Sequence, residues 1–222
     1  VSRVALIHAL AHSMGPVNDA MARDWPQCVR MNLLDDSLSA DVARSPAGLD
    51  AAMTDRFARL ADYALATGAD GILFTCSAFG ACIDAVKRRH PGVPVLKPNE
   101  AMIDEAVASG RRIGLVASFA PTLRSMPSEF PPGVSLQTQL AEGALEALDR
   151  GDTAAHDLAV ADAAAHLVEA GCELIALGQF SMARARAAVR TRCQVPVLTT
   201  VDSAVAALRA RIEPRAAASP RV

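Results

Sequence analysis

The sequence predicts an α/β protein built from two pseudo-symmetric halves, each a mostly parallel sheet flanked by helices. Three observations carry that prediction. Short β-type apolar runs alternate along the 222 residues with Ala-rich stretches of helical period, the alternation that βαβ units produce. Gly68-Ala69-Asp70-Gly71-Ile72-Leu73-Phe74-Thr75-Cys76-Ser77-Ala78-Phe79 has a counterpart in Gly171-Cys172-Glu173-Leu174-Ile175-Ala176-Leu177-Gly178-Gln179-Phe180-Ser181-Met182, 103 residues further on. Val-Pro-Val-Leu then follows each copy, at 93–96 and at 195–198. Each copy reads as a small-residue turn, an acid, an apolar run of strand length and a polar tip that opens a helical pattern. Two half-chains of similar length therefore fold alike.

In chain order, the apolar runs place strands at 3–8, 28–33, 71–75, 93–96, 112–117, 134–137, 173–178 and 195–199. The stretches between them place helices at 15–24, 48–67, 78–90, 99–109, 120–126, 138–149, 153–170, 182–192 and 202–211. In 153–170, Leu158, Ala161, Ala165 and Val168 fall on one face, and Thr153 is the expected N-cap. Val4-Ala5-Leu6-Ile7-His8-Ala9 and Ile113-Gly114-Leu115-Val116-Ala117-Ser118 both follow a basic residue and extend the repeat. The halves are thus 1–98 and 99–201, with 202–212 expected to return to the first. The last stretch, 213–222, carries two prolines and no large apolar residue before Val222, so it is expected to be frayed.

Composition excludes several classes. The chain is 51% hydrophobic and 21% charged, as in an ordinary globular protein, and its net charge of −2 gives no basic field for nucleic acid. No apolar stretch approaches the roughly 20 residues that span a bilayer, and the apolar part of the start is too short for a signal peptide. The expectation is a cytoplasmic protein with neither a nucleic-acid nor a membrane partner. Five cysteines, odd in number and without paired spacing, indicate neither a disulfide framework nor a zinc site. Asp35-Asp36 has no histidine at ligand spacing and reads as a turn, so no metal site is expected.

In parallel sheets ligands collect at the carboxyl ends of strands. Four such tips are chemically loaded: His8, His12, Ser13 and Asn18; Thr75, Cys76 and Ser77; Ser118 and Thr122; Gln179 and Ser181. Hydroxyl and amide donors at helix starts suit a carboxylate or similar anion. A thiol in that setting is expected to have a lowered pKa. The repeat pairs Cys76 with Gln179, so the second half has an amide where the first has a thiol. Each of these residues has a plainer reading. Cys28, Cys82, Cys172 and Cys193 read as small buried hydrophobes, and His90, His156 and His166 as surface or capping residues. His8 and His12 can simply satisfy backbone groups, Ser118 and Thr122 can cap the helix near Pro121, and Glu100 reads as helix-start charge compensation.

The duplicated architecture, Thr75-Cys76-Ser77 and Leu177-Gly178-Gln179-Phe180-Ser181-Met182 together resemble the aspartate/glutamate/hydantoin racemase superfamily. Its members include amino-acid, hydantoin and allantoin racemases, maleate isomerases and arylmalonate decarboxylases. The resemblance covers most of the chain. It implies two subdomains enclosing a ligand cleft, a small carboxylate or cyclic amide substrate, no cofactor or metal, and frequent homo-oligomers. It also implies acid/base work by two cysteines, and here the second position holds Gln179. One thiol can protonate a carbanion on one face, attack an activated double bond, or exchange a proton without inversion. His8 and His12 are the candidate partners for Cys76; Ser13, Thr75, Ser77, Ser118, Thr122, Gln179 and Ser181 are the candidate substrate contacts. The reading from another class is a small-carboxylate binding or sensing protein that has lost one catalytic residue.

Overall fold

The apolar runs become parallel strands in two sheets of identical connectivity. The structure is a computed structural model and describes residues 1–45 and 48–218. In the first sheet β1 (Arg3–His8) lies between β2 (Val29–Leu34) and β3 (Gly71–Phe74), with β4 (Val95–Leu96) outermost. In the second, β5 (Ile113–Ala117) lies between β6 (Leu136–Leu140) and β7 (Leu174–Leu177), with β8 (Val197–Thr199) outermost. All six pairings are parallel. The central strands are buried along nearly their whole length, which is why they read as continuous apolar runs without alternation.

Ten helices connect and cover the strands: α1 (Met14–Asp24), α2 (Ser37–Arg44), α3 (Ala51–Ala66), α4 (Gly80–Arg89), α5 (Glu100–Ala108), α6 (Ala120–Ser125), α7 (Ala144–Asp149), α8 (Thr153–Glu169), α9 (Arg186–Arg192) and α10 (Thr200–Ala218), as counted among the described residues. The chain divides into two compact units, Val1–Pro98 together with the chain from Ala204 onward, and Asn99–Ser203. In the first unit Phe57 of α3 stacks on Phe74 and packs on Phe79, beside Ile72, Ile83 and Val86. In the second, Val160, Ala164 and Leu167 of α8 pack on Val116, Ile175 and Leu177. On the other face of that sheet Met102 and Ala106 of α5 meet Leu115 and Ala176.

The repeat now has a local cause. Gly68 and Gly171 end α3 and α8 with φ of +84° and +93°, where a side chain is strained. Each helix closes on the same pair of bonds, Gly68 N to Leu65 O and Ala69 N to Ala64 O, then Gly171 N to Val168 O and Cys172 N to Leu167 O. The acid that follows ties the strand starts together. Asp70 accepts the Arg3 N–H at 2.8 Å, and Glu173 accepts the Arg112 N–H at 3.1 Å.

Several expectations need correction. The N-cap of α8 is Asp152, whose carboxylate accepts the Ala155 N–H at 3.0 Å; Thr153 is already helical. Leu158, assigned to the buried face, is 56% exposed, and His156, assigned to the surface, is fully buried. An Ala-rich helix carries little periodic contrast, so its period alone does not orient it. Beyond the helices expected, α2 follows the Asp35-Asp36 turn, and the helix expected over 138–149 begins only at Ala144 because β6 extends to Leu140. The stretch expected to fray is helical to Ala218, since α10 continues through Pro214; residues 219–222 lie outside the described residues.

Candidate active site

Strand register makes the two tips equivalent. Phe74 of β3 pairs with Ile7 and Leu177 of β7 pairs with Val116; two residues beyond Phe74 comes Cys76, and two beyond Leu177 comes Gln179. Both residues are extended, with φ of −124° and −139°, and both start a 3-10 turn, Ser77–Phe79 and Phe180–Ala185, without capping it by their side chains.

In the first unit a chain of polar groups lies behind the thiol. His8 ends β1 with no exposed surface; its Nδ1 is 2.9 Å from Thr75 Oγ1 and its Nε2 is 3.0 Å from Asn32 Oδ1. Asn32 Oδ1 also accepts from Asn18 Nδ2 at 2.9 Å, which fixes it as an acceptor. His8 therefore carries its proton on Nε2, and Thr75 donates to Nδ1. Burial lowers the His8 pKa and the Asn32 bond only partly offsets that, so the ring is neutral. The sequence reading offers His8 as a proton-transfer partner for Cys76. Both ring nitrogens are instead engaged by protein, and the imidazole holds Thr75 in place. Asn32 had no signal in the sequence, because it sits inside a strand 24 residues from His8.

The Cys76 thiol corrects a second expectation. Burial pushes its pKa up, and the Ala78 backbone N–H that bonds the sulfur pulls it back only in part. Desolvation is the larger of these two causes, so it outweighs the short turn that follows. Cys76 is half-buried and packs beside Ile7, His8, Ala9, Leu38, Phe57 and Phe74, which leave no space for a water-sized molecule between them. Burial also raises the other four thiols, that of Cys28 to about 11.

The second unit has a different lock. Gln179 Oε1 accepts from the Ser118 N–H at 2.7 Å and from the Ser118 hydroxyl at 3.1 Å, joining the tips of β5 and β7. Gly178 stands where Thr75 stands in the first unit. A Cβ there would lie 3.1 Å from Leu115 Cδ1 and 3.2 Å from Val116 O, so a side chain fits only if these neighbours give by a few tenths of an ångström. Gln179 keeps its amide N–H₂ for other partners.

The remaining candidates are dispersed over the same tips. Ser13 and Thr122 are buried, Ser77 and Ser181 half-buried, and His12 is exposed. Among the described residues the Ser13, Ser77, Thr122 and Ser181 hydroxyls have no protein partner, so their donors are available to a ligand. No group of three or more His, Cys, Asp or Glu side chains among the described residues is placed to hold a metal ion.

Comparison with known proteins agrees with this architecture. The fold matches allantoin racemase from Klebsiella pneumoniae at a TM-score of 0.70 and 18% identity, over 97% of this chain and 89% of that one. Glutamate racemase from Francisella tularensis subsp. tularensis SCHU S4, in complex with D-glutamate, matches at 0.69 and 13%, over 96% and 81%. Unliganded arylmalonate decarboxylase matches at 0.63 and 20%, over 96% and 92%. No curated protein matches the sequence. The sequence model described as Asp/Glu/Hydantoin racemase, however, matches residues 13–208. With the duplicated sheets and equivalent tips, that match over most of its length shows that the chain belongs to the Asp/Glu/hydantoin racemase family.

Proposed function

We propose that the chain is a cofactor-independent enzyme acting at the carbon next to a carboxylate or amide of a small molecule, with Cys76 as its proton donor. The observation that carries the reading is the Cys76 thiol at the β3 tip, matched by strand register with Gln179, an amide that has no acid/base character. An elevated pKa keeps the sulfur an acid at neutral pH, which suits delivery of a proton to a carbanion or enolate better than nucleophilic attack. Such chemistry is one-sided. In a decarboxylation the C–C bond breaks, its electrons remain on the α-carbon as an enolate, and the Cys76 S–H bond supplies the proton. The thiolate then takes a proton from water. Proton exchange at one face needs the same group, and racemisation by two thiols has no second thiol at Gln179. Charge on the substrate carboxylate is met, in the unit that holds Cys76, by the unpartnered hydroxyls of Ser13 and Ser77. Five free cysteines fit a reducing, cytoplasmic compartment.

The test is turnover in deuterated buffer on amino acids, hydantoins, maleate and α-substituted malonates. The expected outcome is label at the α-carbon or loss of carbon dioxide, reduced by about 10²–10⁴-fold in Cys76→Ala. Alkylation of Cys76 by iodoacetamide should be slow at pH 7 and rise steeply above pH 9, in step with its raised pKa. No turnover on any member, with ligand-induced stabilisation that survives Cys76→Ala, establishes a binding protein instead.

A further inference from the structure

Strand register gives each polar residue behind the thiol a counterpart in the other half. Ile7 pairs with Phe74 and Val116 with Leu177, so His8 corresponds to Ala117 and Thr75 to Gly178. Leu6 pairs with Asn32 and Leu115 with Thr138, so Asn32 corresponds to Thr138. Both sheets have the same strand order, and the backbone bond just past the strand end is also the same, Thr75 N to Ile7 O at 3.0 Å and Gly178 N to Val116 O at 2.9 Å. His8 and Ala117 are both fully buried. The fold is therefore completed without an imidazole at this position, and burying one carries a desolvation cost that a methyl group does not. The imidazole stands in the half that holds the thiol.

The direction of the hydrogen bonds is fixed from one end. The Met14 carbonyl can only accept, so it takes one N–H of Asn18 Nδ2 at 2.7 Å. The same amide nitrogen donates to Asn32 Oδ1 at 2.9 Å, and Asn32 Nδ2 returns a bond to Asn18 Oδ1 at 3.3 Å. Asn32 Oδ1 therefore takes the Nε2–H of His8 at 3.0 Å. That leaves Nδ1 as an acceptor, which draws the Thr75 O–H at 2.9 Å ahead of the Ile7 carbonyl at 3.4 Å. Thr75 is thus held by its backbone and by its side chain, whereas Gly178 has no side chain to hold. β3 has ended at Phe74, and Cys76 leaves the sheet extended, with φ of −124°.

Resting on the proposed chemistry at Cys76, we infer that His8, with its proton placed by Asn18 and Asn32, is a positioning residue: it clamps Thr75 and so fixes the Cys76 sulfur relative to the reacting carbon. A misplacement of about 1 Å at such a point costs about 10²-fold in rate. The clamp belongs to the half that does the chemistry.

Three measurements test it. In long-range ¹H–¹⁵N spectra at pH 7, His8 should show the neutral tautomer protonated on Nε2. Alkylation of Cys76 by iodoacetamide at pH 8, followed on its own peptide by mass spectrometry, should be about threefold or more faster in His8→Ala, because a loosened sulfur gains solvent. His8→Gln, whose amide accepts from Thr75 and donates to Asn32, should bring the rate back toward native. On any compound turned over in the deuterated-buffer panel, His8→Ala should lower kcat by about tenfold or more with KM within about threefold, and His8→Gln should recover most of that loss. Where His8→Ala does not fold, Thr75→Val, which keeps the volume, and Thr75→Ser, which keeps the hydroxyl, supply the same pair of readouts. A proton on Nδ1, an imidazolium, native alkylation in the clamp-breaking variant, or no recovery in the bond-keeping one overturns the inference. If alkylation follows the expected order while no compound turns over, the clamp stands and the proposed chemistry falls. If compounds turn over with native kcat in every variant, the chemistry stands and the clamp falls.

Discussion

The His8 ring has no exposed surface and bonds through both nitrogens, so its role is to hold Thr75, the residue before the thiol. Burial sets the sign of its pH response. With its folded pKa below the ordinary value of about 6.5, the unfolded chain binds more protons in the window between the two. The stability tied to neutral His8 is complete above that ordinary value and is lost as pH falls toward the folded one. Urea unfolding of the native protein between about pH 7 and pH 5 should therefore show a component of up to about 1.4 kcal/mol per pH unit that His8→Gln lacks. Identical slopes for the two proteins exclude this role. The place of Cys76 at a strand tip was legible because the repeat singles it out. The protonation state of its thiol was not, since that depends on the side chains packed beside it, among them Leu38 and Phe57 from distant parts of the chain.

Helix ends explain most of what the repeat conserves between the halves. The glycines at 68 and 171 supply positive φ, and the acids at 70 and 173 tie down the Arg3 and Arg112 N–H groups where the central strands start. A Cβ at Gly171 meets only the Arg112 guanidinium, at 2.9 Å, the end of a flexible side chain that can move aside, and one at Gly68 meets nothing within 4 Å, so the positive φ sets the cost at both. Gly68→Ala and Gly171→Ala should each cost about 1–3 kcal/mol in chemical denaturation; no loss at either position contradicts this account. Element type was readable because period and turn chemistry act between near neighbours. The orientation of α8 was not, because alanines cover most of its surface and the choice of face falls to the sheet it packs on.

Across the molecule the two sheets share one strand order, 2-1-3-4 within each half, and α10 supplies the first unit with its last layer. Its Leu208 and Ile212 close on Gly71 at the start of β3, where an added Cβ would come within 3.2 Å and 2.6 Å of them. Leu208 is fully buried, so Leu208→Ala should destabilise the first unit by about 2–5 kcal/mol, read as a lowered denaturation midpoint. A loss below about 0.5 kcal/mol, the range of surface substitutions, removes α10 from that core. The sequence by itself determined the duplication, the alternation of strand and helix, the glycine-ended helices and the position of the thiol, because period and backbone conformation are written in adjacent residues. Only the tertiary structure decided that His8 bonds to Thr75 and Asn32, that the Gln179 carbonyl bonds to Ser118, that burial raises the Cys76 pKa, and that Leu10 and Phe119 stay exposed. Those outcomes depend on burial and on partners 24 to 67 residues away, and a strand sequence carries no record of which groups it will desolvate.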